Sequence, residues 1–171
     1  MMYKHLYHIT SFNNALGILK EKVLIPGRGE YDEKQVCIAD FLSQYLEDFG
    51  NVCFEFNFEN LFAKNYIYPF DYEIEEQYFY LPDGFPAMPF WECEWQSERV
   101  EFEYNDINKM ILFSNELHSE EIKSIAGMLN HLDIAYKIMD FSELPEPDFE
   151  FFIRRYLKRK LMFTRQNEGN G

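Results

Sequence analysis

Short stretches in which apolar and polar residues alternate predict strands along most of the chain. The clearest is Val-Cys-Phe-Glu-Phe at residues 52–56, and the first is the aromatic-rich stretch at residues 3–9. The predicted strands cover residues 3–9, 36–39, 52–56, 66–72, 91–104, 109–113 and 135–139. No internal repeat or interdomain linker separates them, so they are expected to belong to one domain that covers residues 1–171.

Apolar residues at helical spacing predict helices between and after these strands. Thr10 or Ser11 can cap a first helix that ends before Pro26-Gly27, and Asp40 can cap a helical piece that stops at Gly50. Further helices are predicted at residues 57–64, 119–132 and 149–160, and a proline-rich loop is predicted at residues 81–90. Strands outnumber helices and no βαβ unit repeats, so the predicted class is α+β.

Composition indicates a folded chain that is neither a membrane protein nor a disulfide scaffold. Of its 171 residues, 47% are hydrophobic and 19% aromatic, which is far richer than a disordered acidic chain. No apolar run approaches the roughly 18–20 residues needed to span a bilayer, and the N-terminus lacks the apolar stretch of a signal peptide. Cys37, Cys53 and Cys93 are odd in number and show no Cys-x-x-Cys spacing, which favours reduced thiols in a cytoplasm.

The net charge of −14 is unevenly distributed along the chain. Residues 154–171 carry six basic side chains and one acid, whereas residues 1–153 carry 10 basic and 29 acidic ones. Such an acidic body argues against direct nucleic-acid binding, which depends on Lys and Arg neutralising phosphates. The basic C-terminal segment has two interpretations: a contact with phosphate or an acidic partner, or a helix end whose cations complement the helix dipole.

Residues 91–104 hold the most informative pattern. Alternation along a strand places Glu92, Glu94, Gln96 and Glu98 on one face, and Trp91, Cys93 and Trp95 on the other. The apolar residues then change phase, which predicts a bulge or tight bend near residues 97–99. Carboxylates that share a face raise one another's pKa and suit general acid–base or oxocarbenium chemistry. The alternative is a solvated acidic edge that keeps other sheets from pairing.

Other candidate sites are weaker. His8, which ends the first strand beside Thr10, could orient a ligand or could simply be a core histidine. The spacing of His5, His8 and the cysteines matches no known zinc site, so no metal is expected. No phosphate-binding glycine motif or nucleophile elbow occurs.

Three motifs occur in a characteristic order: the first strand ends in Leu-Tyr-His-Ile-Thr-Ser, a short strand follows at residues 36–38, and Glu92-Cys93-Glu94-Trp95 comes late in the chain. This order resembles the ADP-ribosyltransferase-like fold, especially its small bacterial and phage-borne members. The resemblance covers about residues 3–115 and leaves residues 116–171 as a C-terminal helix-strand-helix appendage. It implies a split mixed or antiparallel sheet with peripheral helices.

The resemblance also implies an NAD-dependent mono-ADP-ribosyltransferase, acting as a toxin or anti-defence protein, with NAD as its substrate and a host protein as acceptor or binding target. His8 would hold the nicotinamide ribose, with Thr10 and Arg28 as further NAD-binding residues. Glu94 would stabilise the oxocarbenium-like transition state, and Glu92 would help to position the acceptor.

Two departures from the family pattern keep other functions open. The middle strand at residues 36–39 is apolar where the family has Ser or Tyr, and Gln96 stands where Arg is usual. The fold could therefore be retained without catalysis. One alternative is an acidic inhibitor or nucleic-acid mimic that binds a basic partner; another is a sensor that binds NAD or ADP-ribose without turnover.

Overall fold

A computed structural model describes residues 3–27, 35–70 and 92–169. Within these ranges the chain forms nine strands and four α-helices. The strands are β1 (His5–Thr10), β2 (Val23–Leu24), β3 (Val36–Ala39), β4 (Val52–Asn57), β5 (Tyr68–Pro69), β6 (Glu94–Ser97), β7 (Val100–Glu101), β8 (Ile107–Phe113) and β9 (Tyr136–Met139).

The helices are α1 (Phe12–Glu21), α2 (Phe58–Lys64), α3 (Ser119–His131) and α4 (Phe149–Gly169), with 3₁₀ turns at Gln44–Phe49, Tyr104–Asp106 and Phe141–Glu143. Ser11 caps α1 by accepting a hydrogen bond from the Asn14 amide, and Asn57 caps α2 in the same way. None of the helices in the described ranges is long and apolar enough to cross a membrane.

Seven of the strands form one mixed sheet in the order β5-β6-β3-β1-β4-β8-β9. Every neighbouring pair is antiparallel except β8 and β9, which are parallel. β2 and β7 form a separate two-stranded sheet. This mixed sheet with peripheral helices confirms the predicted α+β class.

The sheet carries a core on each face. Leu6, Phe54, Phe56 and Trp95 belong to the larger core, which α1 and α3 cover with apolar residues such as Leu19 and Ile125. The smaller core lies under the 3₁₀ turns Gln44–Phe49 and Phe141–Glu143. The aromatic residues of the chain thus supply much of the apolar surface that these two cores bury.

The C-terminal segment predicted as an appendage, from residue 116 onwards, contributes β9 to the same sheet and α3 to the same core. β9 pairs with β8 from Tyr136 to Met139, and α3 buries Ile125 and Leu129 in the larger core. On α4, Arg155 and Arg159 form ion pairs with Asp40, which directly follows β3. The two arginines therefore hold the C-terminal helix against the body of the protein.

Three local predictions need correction or refinement. The helical piece predicted at residues 41–49 is a 3₁₀ turn with Ser43 at its N-cap. Asp40 does not cap it, because its carboxylate is engaged by the α4 arginines. The predicted strand at residues 91–104 is divided into β6 and β7, and the break falls at residues 98–99 as the change of phase predicted. In residues 66–70, strand structure is confined to β5, while Trp91 and the loop at residues 81–90 lie outside the described residues.

Candidate functional site

The central sheet opens between β1 and β3. In the described part of the chain these strands pair at a single position, Tyr7 with Ala39, whereas β1 pairs with β4 along its whole length from His5 to Thr10. β3 continues instead on its other side, where it pairs with β6 from Val36 to Ala39. The part of β1 after Tyr7 and the part of β3 before Ala39 thus form the two sides of a gap.

A cavity of about 810 Å³ lies at this gap. Its wall includes β1 residues from Tyr7 to Thr10, β3 residues from Val36 to Ala39, and α1 residues such as Asn13 and Asn14. The volume is within the roughly 300–1,000 Å³ typical of small-molecule and cofactor sites. Ile25 and Phe49 also line the cavity and are more than half exposed, which gives it an apolar rim.

His8 connects the two sides of the gap. Its Nδ1 lies 3.1 Å from the Cys37 carbonyl oxygen on β3. A carbonyl oxygen can only accept a hydrogen bond, so Nδ1 carries the proton and Nε2 of the neutral ring is left as an acceptor. Burial lowers the pKa of His8 below its usual value, although the bond to Cys37 opposes the shift. His8 is therefore a neutral imidazole at physiological pH.

Glu94 approaches the same cavity from β6, where it is the first residue of the strand and only 8% exposed. Residues directly opposite each other on antiparallel strands share a face, and Glu94 is opposite Ala39, which is opposite Tyr7. Glu94 thus belongs to the face of Tyr7, and His8 to the other face. Both line one cavity because it lies in the gap between the strands.

Glu92 also lines the cavity, but it is not part of the strand. Cys93, between Glu92 and Glu94, has a φ of 49° in the left-handed region and is completely buried. This turn of the backbone breaks the simple alternation that placed Glu92 and Glu94 on one strand face. In β6, Gln96 Nε2 donates a hydrogen bond of 3.3 Å to Glu94 Oε1.

Thr10 is buried at the end of β1, where the backbone packs tightly against Gly50. The Thr10 carbonyl accepts a hydrogen bond from the Asn51 amide, and a Cβ on Gly50 would lie 2.3 Å from the same oxygen. Gly50 also has a φ of 149°, which side-chain-bearing residues rarely adopt. Glycine at position 50 thereby fixes the end of β1 next to the cavity.

The face of the sheet shared by Glu94 and Tyr7 carries a polar cluster that the sequence did not indicate. Glu55 on β4 is only 5% exposed, accepts a hydrogen bond from Asn108 Nδ2 and lies 3.9 Å from Lys109 Nζ. Burial, together with the charge and hydrogen bonding of Glu55, raises the pKa of Tyr7, which therefore stays protonated. Glu55 is hard to find because an acidic residue in an alternating strand normally indicates a solvent-facing position.

The structure thus brings four of the expected site residues, His8, Thr10, Glu92 and Glu94, to one cavity. The fifth, Arg28, lies outside the described residues. In the described ranges, no group of three His, Cys, Asp or Glu side chains is arranged to hold a metal ion. Asn13 and Asn14 are further cavity residues, and their place in the first turn of a predicted helix after Thr10 was the available signal.

No protein-family model matches the chain, and no curated protein is similar to it at a significant level.

Proposed function

We propose that the protein is an NAD-dependent mono-ADP-ribosyltransferase whose substrate binds in the cavity between β1 and β3. The observation that carries the proposal is that His8 and Glu94, from separate strands and opposite faces of the sheet, line this one cavity. The two residues match the positions at which the resemblance implies a ribose-binding histidine and a catalytic glutamate. The cavity volume suits a dinucleotide-sized ligand.

His8 would bind the nicotinamide ribose as an acceptor. Its Nδ1 proton is committed to the Cys37 carbonyl, so Nε2 offers a lone pair to a ribose hydroxyl. The lowered pKa of His8 favours this neutral form at physiological pH. The hydrogen bond to β3 also fixes the ring, which reduces the entropy lost on binding.

Glu94 would act on the ribose C1 carbon. In the proposed reaction the bond between C1 and the nicotinamide nitrogen breaks, and its electron pair leaves with nicotinamide, which becomes neutral. C1 acquires oxocarbenium character, and a fixed carboxylate beside it lowers the barrier by electrostatic stabilisation. An acceptor group held by Glu92 then forms the new bond to C1 and releases its proton to water.

The first turn of α1 is the part of the wall best suited to the pyrophosphate. Asn13 and Asn14 line the cavity, and the turn contains no acidic residue. Amide groups at a helix N-terminus and the helix dipole both favour a phosphate. This placement would set the nicotinamide end of NAD towards His8 and Glu94.

The test is incubation of the protein with NAD labelled in its adenylate part, with and without cell lysate. Transfer of label to protein, or release of free ADP-ribose, is the expected result. Glu94→Gln should lower either rate by about 10²–10³-fold, the usual effect of removing one transition-state-stabilising group. Glu101→Gln is the matched control, because Glu101 is an exposed glutamate on β7 that pairs with Arg99.

The other results separate the competing hypotheses. If the wild type gives neither transfer nor hydrolysis, the enzyme proposal is wrong. NAD binding without either product would indicate a sensor. Absence of NAD binding, together with salt-sensitive recovery of a basic partner from lysate, would indicate an acidic interaction protein.

A further inference from the structure

Asp40 is the point at which the C-terminal helix meets the strand that carries Glu94. Arg159 Nη1 donates a hydrogen bond of 2.6 Å to Asp40 Oδ2, and Arg155 Nε donates one of 3.0 Å to Oδ1. Arg155 Nη2 also donates to the Asp40 carbonyl at 2.9 Å. Both carboxylate oxygens of Asp40 are therefore held by α4.

The same aspartate holds the residues on either side of Glu94. The Asp40 amide donates to the Cys93 carbonyl at 3.1 Å, and Trp95 Nε1 donates to Asp40 Oδ2 at 2.9 Å. Cys93 and Trp95 are fully buried, and the left-handed backbone of Cys93 sets the direction in which the chain enters β6. A change at Asp40 would thus be transmitted to both neighbours of Glu94.

The form of this cluster favours a positioning role over a purely stabilising one. Arg159 is completely buried, yet its Nε and Nη2 groups have no hydrogen-bond partner among the described residues. Buried ion pairs frequently stabilise a fold no better than apolar residues of similar size, and unsatisfied buried donors make the balance worse. What the cluster does supply is a fixed orientation, because charged hydrogen bonds of this kind are short and directional.

We propose that Arg159 and Asp40 are positioning residues for Glu94, so that α4 is part of the machinery of the candidate site. Arg159 fixes the orientation of the Asp40 carboxylate and also contacts the Cys93 side chain directly. Asp40 in turn fixes the Cys93 carbonyl and the Trp95 indole, and these two residues fix the position of Glu94 between them. The kinetic consequence rests on the proposed function, whereas the structural coupling does not. Neither Arg155 nor Arg159 would touch a ligand in the cavity, since the cavity wall in the described residues includes no part of α4.

The test uses the full chain with Arg159→Lys, which keeps the charge but changes the reach and direction of the donor. Arg154→Lys is the control on the same helix, because Arg154 is exposed and pairs with Glu150. In Arg159→Lys we expect kcat for NAD turnover, per folded molecule, to fall about 10- to 100-fold, as a displaced catalytic group would cause, with KM changed far less. Arg154→Lys should leave both parameters unchanged. An unchanged kcat in folded Arg159→Lys would overturn the proposal.

A second readout needs no NAD and keeps the two proposals distinguishable. In ¹⁵N-labelled protein, Arg159→Lys should shift the backbone amide signals of Cys93 and Glu94 and the indole signal of Trp95, and Arg154→Lys should shift none of them. If the wild type does not turn over NAD, the proposed function fails and these signals alone decide on the positioning role. An unmoved Glu94 signal in Arg159→Lys would overturn it, even if the Cys93 signal moves, because Arg159 contacts the Cys93 side chain directly.

Discussion

At the scale of single residues, His8 is the side chain whose environment is best defined. Its ring donates to the Cys37 carbonyl and is held neutral by burial, which lowers its pKa. In the proposed site, these two facts favour a ligand that donates a hydrogen bond to His8, such as a sugar hydroxyl. They also make the stability of the protein depend on pH.

The pH dependence follows from the direction of the His8 shift. The unfolded chain takes up a proton on His8 near pH 6.5, whereas the folded protein resists it until a lower pH. The contribution of His8 to the free energy of unfolding is therefore fully present above about pH 6.5. It is lost as the pH falls from about 6.5 towards the folded pKa. In urea unfolding, the free energy of unfolding should fall less between pH 7.5 and pH 5.5 for His8→Gln than for the wild type. An equal loss in both would contradict the assignment, and His131→Gln, at an exposed histidine, should behave like the wild type.

Gly50 gives a second residue-scale prediction. Gly50→Ala places a methyl group 2.3 Å from the Thr10 carbonyl oxygen and forces a side-chain-bearing residue to a φ of 149°. We expect the free energy of unfolding to fall by about 1–3 kcal/mol, and ligand binding to weaken as the end of β1 moves. Chemical denaturation measures the change. Gly127→Ala is the control: it lies in α3 with open space around it and should stabilise by about 0.4–1 kcal/mol.

At the scale of secondary-structure elements, the attachment of α4 depends on one aspartate. Asp40→Asn leaves Arg155 and Arg159 without their carboxylate partner in a buried environment, which should lower the free energy of unfolding by about 3–5 kcal/mol. Glu150→Gln breaks an exposed pair with Arg154 on the same helix and should change it by less than about 1 kcal/mol. Equal effects in urea unfolding would contradict the role assigned to Asp40.

Most elements could be predicted from the sequence because their patterns are local. The strand predicted from alternation at residues 52–56 and the helix predicted from helical spacing at residues 119–132 have bounds within about two residues of those of β4 and α3. Asp40 was misassigned as a helix cap because its partners, Arg155 and Arg159, are more than a hundred residues away. The same long-range pairing explains why the sequence favoured either a contact with phosphate or an acidic partner, or cations at a helix end, and did not indicate ion pairs with Asp40.

The candidate site could be predicted only in part from the sequence. His8 and Glu94 could be singled out by motif, but the gap between β1 and β3 depends on strand register, which no local pattern gives. Glu55 was missed for a related reason: the partners that satisfy its buried carboxylate, Asn108 and Lys109, lie on the neighbouring strand. Side chains that are polar and buried reveal themselves only when their partners are in place.

At the scale of the whole molecule, the net charge of −14 bears on how an anionic ligand approaches. NAD carries a net negative charge, so the field of the protein opposes its association, and added salt should screen this repulsion. We expect calorimetric affinity for NAD to be maintained or to rise between low and physiological salt, whereas neutral nicotinamide should show no salt dependence. A steep loss of affinity with salt would point instead to phosphate binding by a cationic surface.

The central claim is that one ligand spans His8 and Glu94 in the gap between β1 and β3. Its most direct test is a titration of ¹⁵N-labelled protein with NAD, followed at the backbone amides. We expect saturable shifts at both His8 and Glu94, together with Asn13 and Asn14 on α1, and no comparable shift at Glu101 on β7. If NAD moves none of these signals, or moves His8 and Glu94 with different saturation curves, the two residues do not form one site.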